Sequence, residues 1–289
     1  MDSLVNMSVS DRPPEGHESR HLWADGGVTW QSNGAVSALE CGAVGDGVTD
    51  DWKALQSAVD SFDTVVLPKG FYRLSRPLLL RRKGAALVGV GRTISFLMPV
   101  SDPPADSPFA ALSSTPAREA VLDVVADGVT VSHLTIATWD HLPCRALHWR
   151  GAAGTWRQSF FNRLTEATFP PFSAPGAGLL HHIPHKTGTR FGVALSVISG
   201  GGAFYDFNLD FGCCFGTVLP RPPIVAPPDT SSSGEILLQD PDYRTVLVND
   251  STAGVRFYQL NAEQDFGEAH TEIRYSRNVT MYLLRIYMP

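Results

Sequence analysis

This chain has no apolar run approaching the ~20 residues that a bilayer-spanning helix needs, so a membrane partner is not expected. Basic residues are outnumbered, with 23 Lys and Arg against 29 Asp and Glu and a formal net charge of −6. The basic triplet Arg81-Arg82-Lys83 lies between two apolar runs and reads as a solvated turn. No basic stripe is present, which argues against nucleic acid as a partner. Cysteine is scarce: Cys41, Cys144, Cys213 and Cys214 are the four in 289 residues. No two of them form a C-x-x-C pair, so they read as buried small hydrophobes rather than as zinc ligands. Charged residues make up only 18% of the chain, while 26 glycines and 21 prolines punctuate it. That balance excludes a helical bundle and favours strands joined by turns.

The most informative segment joins a glycine-rich turn to an amphipathic helix. Gly42-Ala43-Val44-Gly45-Asp46-Gly47 supplies three glycines in six residues, which ease backbone angles that other residues adopt under strain. Thr49 or Asp50 is the expected cap of a helix over 50–61, with Asp50 and Asp51 at the positive end of its dipole. Trp52, Leu55, Ala58, Val59 and Phe62 then fall on one face at helical spacing.

The run from Gly42 to Val59 is similar to the G-A-x-G-D-G-x-T-D-D-x-x-A-[IL]-Q-x-A motif of right-handed parallel β-helix proteins of the pectate-lyase-like superfamily, the rhamnogalacturonase and epimerase group. Val65 to Tyr72 resembles that group's first strand and turn, and Ala86 to Gly91 its L-x-G-x-G strand. The three pieces occur in order between residues 39 and 98. They also resemble the N-terminal helices of family 55 β-1,3-glucanases. The resemblance implies an all-β, right-handed parallel β-helix whose open end is covered by the capping helix. It implies a polysaccharide partner and an extracellular setting, although Met1–Arg20 is polar and shows no hydrophobic core of a secretory signal. The opening motif is scaffold and assigns no catalytic residue.

Downstream, short apolar segments recur at coil spacing, among them Thr64–Leu67, Phe71–Leu80, Val129–Ile136, Ala203–Phe211, Val255–Leu260 and Thr271–Tyr275. Stacked coils of this kind bury a continuous interior that no single coil holds alone. The expected organisation is a disordered polar leader over 1–22 and one solenoid domain over 23–289, with truncation at the C-terminus left open. Three stretches interrupt the pattern: Pro99–Pro116, Phe169–Gly178 and Leu219–Gly234. They read as projecting loops, which in repeat proteins often gather on one side.

Cleaving a glycosidic bond takes two carboxylates facing each other across it. The strand Phe204–Phe211 alternates, which predicts Tyr205, Phe207, Leu209 and Phe211 inward and Asp206, Asn208 and Asp210 outward. Asp206 and Asp210 would then stand about 13 Å apart along one strand, too far for a pair, so a partner from a neighbouring coil is required. The segment Asn261–Arg274 is the densest in ionisable groups, with Glu263, Asp265 and Glu268 expected in a loop and His270, Glu272 and Arg274 on the strand after it. His181-His182-Ile183-Pro184-His185 clusters imidazoles, but Pro184 spoils their alignment and no carboxylate is near, so no metal site and no cofactor are expected. Trp139, Trp149, Trp156, Phe160 and Phe161 crowd the middle of the chain, either as core or as platforms for sugar rings.

The candidate set is therefore Glu263, Glu268, Asp206 and Asp210 for catalysis, with Asn208, His270, Arg274 and Trp156 for substrate binding. The N-T-D, G-H-G and R-I-K motifs of polygalacturonases are absent from any matching place. Three readings stay open: a glycoside hydrolase of glucan or pectic type, a polysaccharide lyase, and a non-catalytic glycan-binding or structural β-helix.

Overall fold

The computed structural model describes residues 28–100, 102–109, 119–139, 144–164, 195–198, 200–210, 240–251, 253–263, 267–282 and 285–287. The leader, most of the proline-rich stretches, the histidine cluster and Cys213-Cys214 lie outside the described residues.

The glycine turn is built as its sequence suggests. Gly42, Gly45 and Gly47 have φ of 93°, 67° and 76°. The Asp46 carboxylate accepts the Val48 and Thr49 N–H groups at 2.8 and 2.7 Å and the Thr49 hydroxyl at 2.9 Å. The cap differs from expectation. Helix α1 spans Trp52–Ser61, and its N-cap residue Asp51 makes no side-chain cap bond. Asp51 is buried and turns back, accepting the Val44 and Gly45 N–H groups at 2.6 and 3.0 Å. The reason is desolvation: the N–H groups that Asp51 accepts sit beside a buried carboxylate and need acceptors more than the exposed helix start does. Asp50 serves that start, taking the Trp52 N–H at 3.1 Å and the Ser75 N–H at 3.0 Å.

After α1 the chain winds through three faces and returns one rung higher. The first face carries β1 (Val36–Ser37), β3 (Thr64–Leu67), β6 (Ala86–Gly89) and β9 (Thr130–Ser132). The second carries β2 (Asp46–Asp50), β4 (Gly70–Leu74), β7 (Ser95–Pro99) and β10 (Thr135–Trp139). Three longer strands, β12 (Gly154–Leu164), β14 (Gly202–Asp210) and β16 (Val255–Glu263), run across both, and β18 (Val279–Tyr282) and β19 (Arg285–Tyr287) divide them again. These form one 13-stranded sheet. The third face is a separate six-stranded sheet of β5 (Leu78–Leu80), β8 (Ala120–Val124), β11 (Arg145–Trp149), β13 (Leu195–Ile198), β15 (Asp240–Asn249) and β17 (Gly267–Arg274). The ladders are parallel throughout. Neighbouring rungs are therefore about 4.8 Å apart. The molecule is a parallel β-helix.

Two expected strands are each divided by a corner. Phe71–Leu80 becomes β4 and β5 around Ser75-Arg76-Pro77, and Val129–Ile136 becomes β9 and β10 around His133, whose φ is 58°. A three-sided coil must turn where a period of two shows nothing. The strands β11 and β12 carry no clear apolar signal in the sequence.

The interior is a column of apolar side chains. Leu67, Leu74, Leu80, Leu122, Leu147, Trp149, Trp156, Phe204 and Phe257 are all essentially inaccessible. Trp149 meets Phe204 edge-on at 5.2 Å between ring centres, and Phe204 stacks on Phe257 at 5.1 Å. The Trp149 indole N–H donates to the Gly201 carbonyl at 3.2 Å. That bond satisfies the one polar atom this ring brings into the core.

Helix α1 closes the lower end. Its buried Gln56 donates to the Leu79 carbonyl at 3.0 Å and accepts the Leu79 N–H at 2.9 Å. A side-chain amide thus occupies the place of the peptide that a lower strand would offer to β5, and Trp52 Nε1 donates to the Pro77 carbonyl at 3.0 Å beside it. Edge groups that would otherwise invite pairing are satisfied from within.

The long connections are not scattered. Residues 100–119, 165–194 and 211–239 all pass from the second face to the third, entering β8, β13 and β15. The corresponding step into β11, residues 140–144, is short and lies between two long ones.

Candidate functional site

The candidate carboxylates fall on two sheets. β14 and β16 pair in register with Asn208 beside Asn261, Leu209 beside Ala262 and Asp210 beside Glu263. β12 adds Asn162 beside Asp210, and β19 adds Tyr287 beside Glu263. Leu209 pairs with Phe161, which pairs with the core residue Ile136 of β10. Asp210 and Glu263, from successive coils, are therefore register neighbours.

Strict alternation along β14 does not hold. Phe204 is fully buried, while Tyr205 is half-buried and stacks on Tyr258 at 4.6 Å with ring planes 8° apart. The expectation of Tyr205 inward is corrected. The strand passes from the first face to the second, and Phe204 and Leu209, five positions apart, both align with core residues. A second correction concerns Trp156. It is 0% exposed and packs in the interior, so it is core and not a platform for a sugar ring. A third concerns the expected acidic loop: Glu263 is the last residue of β16 and Glu268 the second of β17. Glu268, His270 and Arg274 therefore belong to the six-stranded sheet, and Asp206, Asn208, Asp210 and Glu263 to the other. Asp265 lies outside the described residues.

Sequence reading missed a polar cluster on the third face. Asp123 of β8 and His148 of β11 are register partners. Both occupy positions between core residues, Asp123 between Leu122 and Val124 and His148 between Leu147 and Trp149. Arg150 grips Asp123 with two nitrogens, Nε on Oδ1 at 3.0 Å and Nη2 on Oδ2. His148 Nδ1 lies 3.9 Å from Asp123 Oδ1, and the buried His148 Nε2 has no hydrogen-bond partner among the described residues. Burial pulls the His148 imidazole down to a pKa of about 4, against the pull of Asp123 and with help from Arg145 and Arg150. No motif marks this cluster, because its members lie a whole coil apart in sequence.

That shift has a consequence for stability. The folded imidazole stays neutral while the unfolded one protonates near 6.5. Stability is therefore undiminished above pH 6.5 and falls as pH drops from 6.5 toward 4. At about 1.4 kcal/mol per pH unit the ceiling is about 3 kcal/mol. Urea denaturation at pH 7.5 and pH 5 reads the loss, and His148→Gln flattens that part of the profile.

Among the described residues no group of three or more His, Cys, Asp or Glu is placed to hold a metal ion. Cys41 and Cys144 are free thiols, and burial pushes Cys144 up to about 12. No described helix is long and apolar enough to cross a membrane.

Three-faced parallel coils with a helix over the first rung define the chain as a parallel β-helix protein. Residues 35–101 match the family described as rhamnogalacturonase A/epimerase, pectate lyase-like, a family of carbohydrate-active β-helices. No curated protein matches the chain. Among solved structures it is similar to ORF18 of Geobacillus virus E2, at 14% identity over 86% of this chain and 40% of that one, TM-score 0.44. It is similar to a candidate glycosyl hydrolase of Parabacteroides merdae ATCC 43184, at 10% identity over 86% of this chain and 93% of that one, TM-score 0.46. It is also similar to the gp42 tailspike of Acinetobacter phage vb_AbaP_AS12, at 11% identity over 86% of this chain and 45% of that one, TM-score 0.38. The chain thus spans less than half of the two phage proteins.

Proposed function

We propose that this chain cleaves a polysaccharide, as a glycoside hydrolase acting on a glucan or pectic backbone, with Asp210 and Glu263 as its carboxylate pair. The observation that carries the reading is their register pairing on β14 and β16. Adjacent strands stand about 4.8 Å apart, and retaining enzymes hold their two carboxyl groups about 5–5.5 Å apart. One carboxylate would attack the anomeric carbon while the other, protonated, hands its proton to the leaving oxygen. Asn208, two residues before Asp210 on β14, is a candidate for a substrate hydroxyl. Asp206, Glu268, His270 and Arg274 remain candidates for flanking contacts. A polymeric substrate suits an extracellular setting.

The test is a panel of laminarin, polygalacturonan and rhamnogalacturonan with product analysis. Asp210→Asn and Glu263→Gln are each expected to lower turnover at least about 10³-fold, and the product is expected to retain its anomeric configuration. A chain that binds a glycan from the panel and cuts none overturns hydrolysis in favour of a binding module. Unsaturated products would reassign it as a lyase.

A further inference from the structure

Among the described residues, three pairs set an Asn or Asp side chain directly before a glycine: Asn33-Gly34, Asp46-Gly47 and Asp127-Gly128. In each, the glycine nitrogen is one bond-forming step from a five-membered ring with the side-chain carbonyl carbon, and glycine brings no β-carbon to obstruct it. The fold treats the three pairs differently. We infer that Asn33 is a site of spontaneous covalent modification, where the native turn leaves ring closure, loss of ammonia and conversion to isoaspartate open, while hydrogen bonds protect the other two pairs.

Two pairs are tied. The Asp46 carboxylate accepts the Val48 and Thr49 N–H groups and the Thr49 hydroxyl, so both of its oxygens are engaged. At the second pair, Asp127 Oδ1 accepts the Ala152 N–H at 2.8 Å, and the Gly128 N–H donates to the Ala152 carbonyl at 2.8 Å. Side chain and nitrogen are both held by the rung above, and bringing them together would break two bonds. Asn33 differs on each count. It is exposed, and its side chain makes no hydrogen bond among the described residues. The Gly34 N–H donates to none of them either. A β-turn holds the pair: the Ala35 N–H donates to the Ser32 carbonyl at 3.1 Å, and Gly34 has φ of 78°, as the third position of a type II turn requires. Nothing stands within 4 Å of a β-carbon built on Gly34, so the ring has room to form without displacing a neighbour.

In the proposed step, the Gly34 nitrogen gives its proton to hydroxide and bonds to Asn33 Cγ. The Cγ–Nδ2 bond breaks and ammonia leaves, its third proton supplied by water. Water then opens the cyclic imide at either carbonyl. Opening at the side-chain carbon leaves aspartate, and opening at the main-chain carbon leaves isoaspartate. No oxidant or cofactor enters. The turn also sits between two anchors. Arg157 Nη2 donates to the Val28 carbonyl at 3.4 Å, β1 begins at Val36, and the successive turns Thr29–Ser32 and Ser32–Ala35 join them. Isoaspartate routes the main chain through one extra methylene, so the Ala35–Ser32 bond that closes the second turn is lost. The inference is independent of the polysaccharide reading, because none of that reading's candidate residues lies in this segment.

The full chain is aged at pH 7, 8 and 9 and sampled by peptide mass mapping, with aspartate and isoaspartate peptides separated by chromatography. Expected is conversion at position 33, mostly to isoaspartate, faster by about tenfold per pH unit because the attacking nitrogen must first lose its proton. Asn33→Gln suppresses it, since the corresponding ring has one more member. Asp46 and Asp127 are followed at pH 6, where enough carboxyl is protonated to react, and should isomerise in urea but not in the folded chain. Amide exchange at Ala35 should rise in the aged parent and stay unchanged in aged Asn33→Gln. An intact Asn33 at pH 9 overturns the inference. So does isomerisation of Asp46 or Asp127 as fast in the folded chain as in urea, or an Ala35 amide that is equally protected after conversion.

Discussion

Gly151→Ala is expected to destabilise the fold by at least about 3 kcal/mol, near the upper end of what one overpacked methyl costs. Gly151 follows β11, where the third face turns back into the first. A β-carbon built there falls 2.6 Å from the Ala126 carbonyl carbon and closer still to its oxygen. That carbonyl belongs to the rung below, so the clash is backbone against backbone and no rotamer change relieves it. The same corner in other rungs is equally tight: a β-carbon on Gly200 would lie 2.7 Å from the Arg150 carbonyl carbon, and one on Gly201 would press on the Gly254 carbonyl. Gly84 is the contrast. Its φ is +72°, but nothing stands within 4 Å of a built β-carbon. Gly84→Ala should cost only the left-handed penalty of about 1–2 kcal/mol. Urea titrations of both variants with equal m-values make the comparison, and a Gly151→Ala protein as stable as Gly84→Ala would refute the crowding argument.

Asp51→Ala comes second, with an expected loss of about 2–4 kcal/mol. Its carboxylate is 1% exposed and accepts two backbone N–H groups, from Val44 and Gly45. Removing it leaves both donors without their acceptor, at about 1–3 kcal/mol each where water cannot replace it. Asp51→Asn keeps the shape but can place an amide N–H against an N–H, so it should recover less than half of the loss. Asp46→Ala, which removes an exposed acceptor of the same turn, should cost about 1 kcal/mol or less. Amide exchange at Val44 and Gly45 gives a local readout: protection there should collapse in Asp51→Ala before it changes in β8 or β11.

Much of this architecture can be read in the sequence because its devices are local. The glycine turn, the apolar stripe of α1 and the first strand pieces each lie within a few residues, and each appears where its spacing places it. What is not local was misplaced. The corners at Ser75-Arg76-Pro77 and His133 fall inside apolar runs that look continuous. β11 and β12 escaped notice because Arg145, His148, Arg157, Gln158 and Asn162 dilute their apolar pattern. Alternation in β14 failed for a related reason. A strand that rounds a corner shifts phase: Phe204 aligns with the core residue Trp156, and Leu209, five positions on, aligns through Phe161 with the core residue Ile136. At the helix start Asp50, one of the two candidates in the sequence, supplies the side-chain bond, while the N-cap position falls on Asp51, whose carboxylate turns back to donors that a linear motif does not reveal.

The candidate sites follow the same division. That Asp210 needs a partner from another coil to act follows from distance along one strand, but that Glu263 is its neighbour there follows only from register. Asp123 and His148 are separated by 25 residues, so no window joins them. Trp156 looked equally suited to core and surface, and only the stacking of β12 beneath Phe204 decides for the core.

Gln56 gives the solenoid a floor but not a ceiling. Because one side-chain amide ends the backbone ladder beneath Leu79, repeat number can change only above it. Gene segments encoding one whole turn can be duplicated or deleted there without leaving a peptide group stranded. Indels of any other length should survive selection only in the long connections that lead into β8, β13 and β15.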